Sequence, residues 1–176
     1  MNSEIFKKNI RNIPDFPKKG IQFKDVTTLF KSADVLRLLS DDIYDLYKDK
    51  GITKVVGIES RGFIMGPILA TRLNAGFVPI RKPGKLPSDV YEEVYEKEYG
   101  FDSIQIHTDA LCENDIVVLH DDLLATGGTM LAACKLIKRF NVKKVYINFI
   151  IELEDLGARK LFDSNFEVSS LVKYNI

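Results

Sequence analysis

The chain has 176 residues, 45% hydrophobic and 28% charged, ordinary proportions for a globular fold with a proper core. Lysine plus arginine and aspartate plus glutamate stand at 25 each, which argues against bulk binding to nucleic acid or a membrane surface and requires any anion site to be local. Cys112 and Cys134 sit in no metal or redox spacing, and no apolar run approaches the ~18 residues of a membrane span, so a reduced, cytoplasmic, single-domain protein over residues 1–176 is expected.

Residues 3–10 predict a short helix carrying Ile5, Phe6 and Ile10. Pro14 and Pro17 stop it, because each removes a donor and restricts the residue before it. Residues 18–25 read as a polar loop with Ile21 and Phe23 set in it. Ser32 is a good N-cap, and Val35, Leu36, Leu39, Ile43, Leu46 and Tyr47 behind it make an amphipathic helix that ends before Gly51. Residues 54–58 read as a strand, followed at once by Glu59-Ser60-Arg61-Gly62 and a second helix with Phe63, Ile64, Ile68, Leu69 and Leu73. Residues 77–81 are the next strand, closed by Lys82-Pro83-Gly84-Lys85-Leu86-Pro87. Residues 84–100, polar and tyrosine-rich, predict a β-ribbon or a mobile flap, and residues 102–107 alternate as an exposed strand would. Residues 116–119 are a buried strand, with Asp121 and Asp122 where it should end and a small, hydroxylated loop, Ala125-Thr126-Gly127-Gly128-Thr129, after them. A helix carrying Met130, Leu131, Cys134, Ile137 and Phe140 follows, then a strand over 143–151, a helix from about 155 to 163 and a last strand over 166–172.

Strands alternating with helices predict an α/β fold with a mostly parallel sheet, whose ligands bind beyond the carboxyl ends of its strands. Loops 59–62, 81–87 and 121–129 all lie at such ends. The helix N-terminus after residues 125–129 favours a phosphate, and the glycines let backbone approach it. Asp121 and Asp122 suit the hydroxyls of a ribose or a Mg²⁺. Arg61 stands at a helix N-terminus, where a cation calls for an anion, and Arg81, Lys82 and Lys85 put three cations within five residues. Together these cations could hold a diphosphate; a solvated basic loop is the alternative. Phe23 could stack on a flat base or plug the core. Tyr91, Tyr95 and Tyr99, four residues apart, read from the residues alone as a packing stripe. No nucleophile elbow or zinc-protease motif is present.

In these blocks the chain resembles the type I phosphoribosyltransferases, and most closely their adenine-using branch. The similarity lies in Ile13-Pro14-Asp15-Phe16-Pro17, Gly20 with Phe23 and Asp25, Glu59-Ser60-Arg61-Gly62-Phe63, Arg81 to Pro87, Glu98-Tyr99-Gly100 and residues 117–129, in the family's order and over nearly the whole chain. The resemblance implies the family's fold, a mostly parallel sheet flanked by helices, with a small N-terminal hood over about 1–30 and a mobile flap over about 84–100. It implies that adenine and phosphoribosyl diphosphate give AMP and diphosphate, with Mg²⁺ as cofactor and a homodimer as the assembly. Ala125, Thr126, Gly127, Gly128 and Thr129 would hold the 5′-phosphate, and Asp121 and Asp122 the ribose and, with the diphosphate, the metal. Ser60, Arg61, Arg81, Lys82 and Lys85 would bind the diphosphate. Phe23 would stack on adenine, with the backbone of Gln22 and Lys24 reading its edge and Glu98 at N7. Catalysis would draw on Glu98, Tyr99, Arg61, Asp121 and Asp122. The chain departs from the family at Lys24, where arginine is expected, at Gln22 and His120, where apolar residues are usual, and at residues 111–115, which lack a Pro-Gly turn. A hypoxanthine- or guanine-using enzyme and a non-catalytic regulator that binds phosphoribosyl diphosphate are the rival readings.

Overall fold

In the computed structural model, residues 2–96 and 100–175 are described. In chain order they form α1 (Ser3–Asn9), β1 (Arg11–Pro14), β2 (Gln22–Asp25), α2 (Thr27–Phe30), α3 (Ala33–Tyr47), β3 (Lys54–Ile58), α4 (Gly62–Arg72), β4 (Gly76–Ile80), β5 (Val90–Glu96), β6 (Phe101–His107), β7 (Ile116–Leu124), α5 (Gly128–Lys138), β8 (Lys144–Leu153), 3-10 turns at Glu154–Leu156 and Ala158–Leu161, and β9 (Glu167–Tyr174). Five strands make one sheet in the order β4-β3-β7-β8-β9, every neighbour parallel.

The central strands are covered on both faces, which is why they read as unbroken apolar runs. Val55 and Val118 face a core built with Leu39 and Ile43 of α3 and Met65 and Leu69 of α4. Val56, Val117, Leu119, Ile147 and Phe149 face a second core with Ala133 and Ile137 of α5 and Ile104 and Ile106 of β6. Each fully buried aliphatic side chain here contributes about 1.5–3 kcal/mol. Ser32 caps α3, its side chain accepting from the Val35 amide at 3.5 Å. Since all five strands run one way, the segments after β3, β4, β7 and β8 emerge at the same edge of the sheet.

Four expectations need correction. Residues 22–25 are not loop: β2 pairs antiparallel with β1, Ile13 opposite Phe23. Pro14 is tolerated at the exposed end of that two-stranded sheet, where its missing donor costs nothing. Residues 102–107 are not an exposed strand. The β5–β6 ribbon lies against α5, and Gln105, 8% exposed, exchanges backbone hydrogen bonds with Arg81 at 2.9 and 2.7 Å. Strand β7 does not end before the aspartates but runs through them to Leu124, paired with Glu152 of β8. The expected helix over 155–163 is two 3-10 turns, interrupted at Gly157, whose φ of 63° no α-helix accommodates. Among the described residues, no helix is long and apolar enough to cross a membrane.

Candidate active site

The site begins where β7 leaves the core. Successive residues of a strand point to opposite faces, so Asp121 and Asp122 serve different sides of the sheet. Asp122 is 3% exposed, and the Arg61 Nε lies 2.8 Å from its Oδ2. Asp121 accepts the Asp122 amide through Oδ1 at 2.9 Å. Burial, and then the charge of Asp122, push the Asp121 carboxyl well above the ordinary carboxylate value. Burial raises Asp122 as well, against the opposing pull of Arg61. Gly62 makes this crowding possible. A Cβ there would lie 2.9 Å from the His120 carbonyl oxygen and 3.3 Å from Asp121 Oδ1, so only glycine lets the start of α4 lie on β7.

Beyond β7, Ala125 to Thr129 wrap a cavity of about 90 Å³ also lined by Asp121, Leu124 and Phe149. Gly127 takes a left-handed φ of +84° and caps α5, whose first turn carries no acidic residue to neutralise its positive end. The arrangement is that of an anion cradle: the open N–H end of a helix, with no carboxylate in its first turn. A second cavity, of about 260 Å³, adjoins it and is lined by Glu59, Ser60, Arg61, Lys82, Tyr95, Asp121, Asp122 and Thr129. Asp121 and Thr129 line both.

The cations differ in what they can offer a ligand. Arg61 projects into the second cavity and pairs with Asp122. Lys82 places Nζ 3.0 Å from the Tyr95 hydroxyl and against Asp102. Burial works against its charge, but those two partners outweigh it and hold its pKa above the usual lysine value. Arg81 is already engaged: its Nε and Nη2 donate to Glu59 at 3.1 and 3.2 Å, and its Nη1 to the Lys85 carbonyl at 3.2 Å. Glu59 also accepts the Lys82 amide at 3.0 Å, and the Arg81 guanidinium holds its carboxyl below the usual range. Lys85 is exposed and lines neither cavity. Glu59, Tyr95 and Asp102 were not singled out for this loop from the sequence. No local pattern in the sequence pairs them: Glu59 and Arg81 are 22 residues apart and meet only across neighbouring parallel strands.

Phe23 belongs to neither core cluster; the Arg61 guanidinium lies 5.4 Å from its ring, and Phe16 packs edge-on at 5.1 Å. Strand β2 thus reaches the second cavity through Arg61. Gln22 and Lys24, two of the departures from the family, share one partner. Asn12 donates to Gln22 Oε1 at 2.7 Å and accepts from Lys24 Nζ at 2.9 Å, while Lys24 also lies 4.5 Å from the Tyr174 ring. In the ribbon, Tyr91 packs on Phe140 at 5.4 Å, as a packing stripe predicts, but Tyr95 lines the second cavity. Glu98 and Tyr99 lie outside the described residues.

The third departure, His120, is fully buried on β7. Its Nδ1 lies 2.8 Å from Asn148 Oδ1; Asn148 spends its amide group on Ser169 Oγ at 3.1 Å, so Oδ1 must accept and His120 must carry its proton on Nδ1. Ser169 in turn meets the Tyr47 hydroxyl at 2.6 Å. Burial lowers the His120 pKa to about 4. An unfolded histidine titrates near 6.5, so the unfolded chain binds the extra proton first, and stability present above pH 6.5 is lost as pH falls through 4. We expect His120→Leu to remove on the order of 3 kcal/mol of that acid dependence. Urea midpoints of both proteins between pH 7 and pH 4 check it; parallel curves would refute a neutral, buried His120.

The phosphoribosyl transferase domain family model matches residues 24–171. The adenine phosphoribosyltransferase of Bacteroides thetaiotaomicron is 67% identical over 172 residues, 98% of either chain. Among solved structures, that of adenine phosphoribosyltransferase from Giardia lamblia complexed with 9-deazaadenine is 41% identical, with a TM-score of 0.91 over 100% of this chain and 99% of that one. The Trypanosoma brucei enzyme in complex with AMP, pyrophosphate and ribose-5-phosphate is 30% identical, with a TM-score of 0.89 over 97% of this chain and 78% of that one.

Proposed function

The chain belongs to the phosphoribosyltransferase family, and from that membership we infer that it is a purine-salvage enzyme converting adenine and 5-phosphoribosyl 1-diphosphate into AMP and diphosphate. What carries this function is Asp121, on the wall shared by an anion cradle and a cation-lined cavity, with Asp122 next to it lining the second. A sugar bearing a phosphate at one end and a diphosphate at the other needs that order of groups. The relatives' complexes with 9-deazaadenine and with AMP, pyrophosphate and ribose-5-phosphate support the same assignment.

In the reaction, the N9 lone pair of adenine bonds to the anomeric carbon, the bond from that carbon to the diphosphate oxygen breaks, and the proton carried on N7 passes to the Glu98 carboxylate beside it. Positive charge develops on the sugar as the diphosphate leaves, as in glycoside cleavage. Ala125 to Thr129 hold the 5′-phosphate, and Asp121 and Asp122 accept from the ribose hydroxyls and face the developing charge. Ser60, Arg61 and Lys82 take the diphosphate. Arg81 acts with them through the loop it shares with Glu59, and Lys85 must swing inward to join. Phe23 stacks on the base, backbone groups of Gln22 and Lys24 read its edge, and Glu98 favours the tautomer whose N9 attacks. The ribbon and Tyr99 exclude water from the activated sugar. No covalent nucleophile is required; catalysis is positioning and charge stabilisation.

Mg²⁺ fits this site through the hard carboxylate oxygens of Asp121 and Asp122. Among the described residues, no three His, Cys, Asp or Glu side chains come together to hold a metal, so most of its oxygens would come from the sugar and the diphosphate. Bound there, Mg²⁺ supplies neutralisation of the leaving diphosphate. A homodimer is the working assembly in this proposal.

An absorbance assay with adenine, hypoxanthine or guanine, plus phosphoribosyl diphosphate and Mg²⁺, tests the function. AMP from adenine, with little turnover of either oxo-purine, is expected. Product from hypoxanthine alone would move the assignment to the other purine enzymes. Binding without product would make the chain a regulator.

A further inference from the structure

We propose, resting on the reading of residues 125–129 as the phosphate cradle, that Arg159 is a positioning residue for that cradle: its ion pair with buried Glu152 seats the 154–161 segment as a wall behind Gly127. Gly127 holds its left-handed φ of +84° directly against this segment. A Cβ at Gly127 would lie 3.1 Å from both the Ala158 Cβ and the Leu161 Cδ1. Those two side chains occupy the space on the far side of the turn, and none of residues 154–161 lines the cradle cavity. The wall therefore acts on the phosphate only through the shape of the turn.

Apart from the Glu154–Lys173 ion pair at its start, at 2.7 Å, the segment has little of its own to hold it there. Its two 3-10 turns make short runs of poorly aligned hydrogen bonds, separated by Gly157. Leu156 and Leu161 are largely exposed, and Ala158 is its one fully buried apolar side chain. Arg159 supplies the missing anchor. Its Nε donates to Glu152 Oε1 at 2.8 Å and its Nη2 to Glu152 Oε2 and, at 3.0 Å, to Ser170 Oγ; its Nη1 donates to the Val168 carbonyl at 2.6 Å. Ser170 closes the group by donating to Glu152 Oε2 at 2.6 Å. One guanidinium thus ties the turn to both β8 and β9, in the two-pronged geometry that arginine gives a carboxylate and lysine does not. Ala158, the residue that meets Gly127, is its immediate neighbour in the chain.

The test is a split of Michaelis constants. Arg159→Met frees the wall, so KM for phosphoribosyl diphosphate should rise about tenfold or more, with KM for adenine within about twofold of the parent and Arg159→Lys between the two. An equal rise for both substrates, a fall in kcat alone, or no change would overturn the positioning role. Should Arg159→Met not fold, Ala158→Val decides: it keeps the ion pair, thickens the wall against Gly127, and is expected to give the same split. A parent protein that forms no AMP refutes the phosphoribosyl-transfer reading. An active parent with unshifted variants refutes only the wall.

Discussion

Asp121→Asn combined with Asp122→Asn lowers kcat by about 10²-fold or more while the protein stays folded. Asparagine keeps the shape and most of the hydrogen-bonding capacity of each side chain but removes the charge that opposes the developing positive sugar. The stability effect has the opposite sign to the activity effect. A carboxyl whose folded pKa is raised adds stability below its unfolded pKa, and that contribution is lost as pH rises through the folded value. Burial raises both groups, and Asp122 raises Asp121 further, so above the ordinary carboxylate range the pair weakens the fold. Removing it relieves that load. The counter-cost is Arg61, left without Asp122, but about a third of its side chain is exposed and water can take over. The expected result is therefore a crippled enzyme with an unchanged or higher thermal midpoint, an exchange of stability for function at a charged site. Steady-state kinetics and a melting curve on the same preparation check both halves. Unchanged turnover would remove the pair from the ribose site, and a midpoint lower by many degrees would mean the aspartates serve the fold instead.

How far the site could be read beforehand depended on whether a residue's role followed from its neighbours in sequence. Residues 116–119 were legible as a buried strand because both of its faces are covered, and residues 125–129 as a helix-capping loop because glycines and hydroxyls cluster between a strand and a helical period. The parallel direction of the sheet then brought the loops after β3, β4 and β7 to one edge, which chain order alone could suggest. What stayed hidden was pairing at long range. Local chemistry placed the end of β7 at two charged residues, but the ladder to β8 carries the strand through both, since a buried ion pair and close helix packing satisfy them there. Arg81 stands in sequence among the diphosphate cations, and nothing nearby points to Glu59, twenty-two residues earlier, as the group that already holds it. Likewise, the apolar spacing over 155–163 suggested a helix, and one left-handed glycine, Gly157, decided otherwise. His120 broke the family pattern in sequence without explanation; its partner Asn148 lies one strand away and could only be found in space.

Replacing Gly127 by valine raises the KM for phosphoribosyl diphosphate by about 10²-fold or more, and the reason is geometric twice over. Its φ of +84° is one that a β-branched residue adopts only as an outlier, at a cost of roughly 1–2 kcal/mol for the left-handed backbone alone. The new Cβ would also stand 3.1 Å from Ala158 and Leu161, so either the wall retreats or the turn flips to a negative φ. A flipped turn re-aims the amides that precede α5, and the phosphate loses donors whatever happens to the rest of the fold. Gly128 is the instructive neighbour. It looks equally committed in sequence, yet it needs no special φ, and among the described residues a Cβ there would meet Glu96 and Tyr95 of the ribbon, at the ordinary distances of 3.5 and 3.6 Å. The steric block thus belongs to Gly127, and Gly128→Val should cost less, by crowding the ribbon where it lies over the cradle. Titration calorimetry of both variants with phosphoribosyl diphosphate and Mg²⁺ separates them. Normal binding by Gly127→Val would show that the turn tolerates the flip and that residues 125–129 do not hold the phosphate through their backbone.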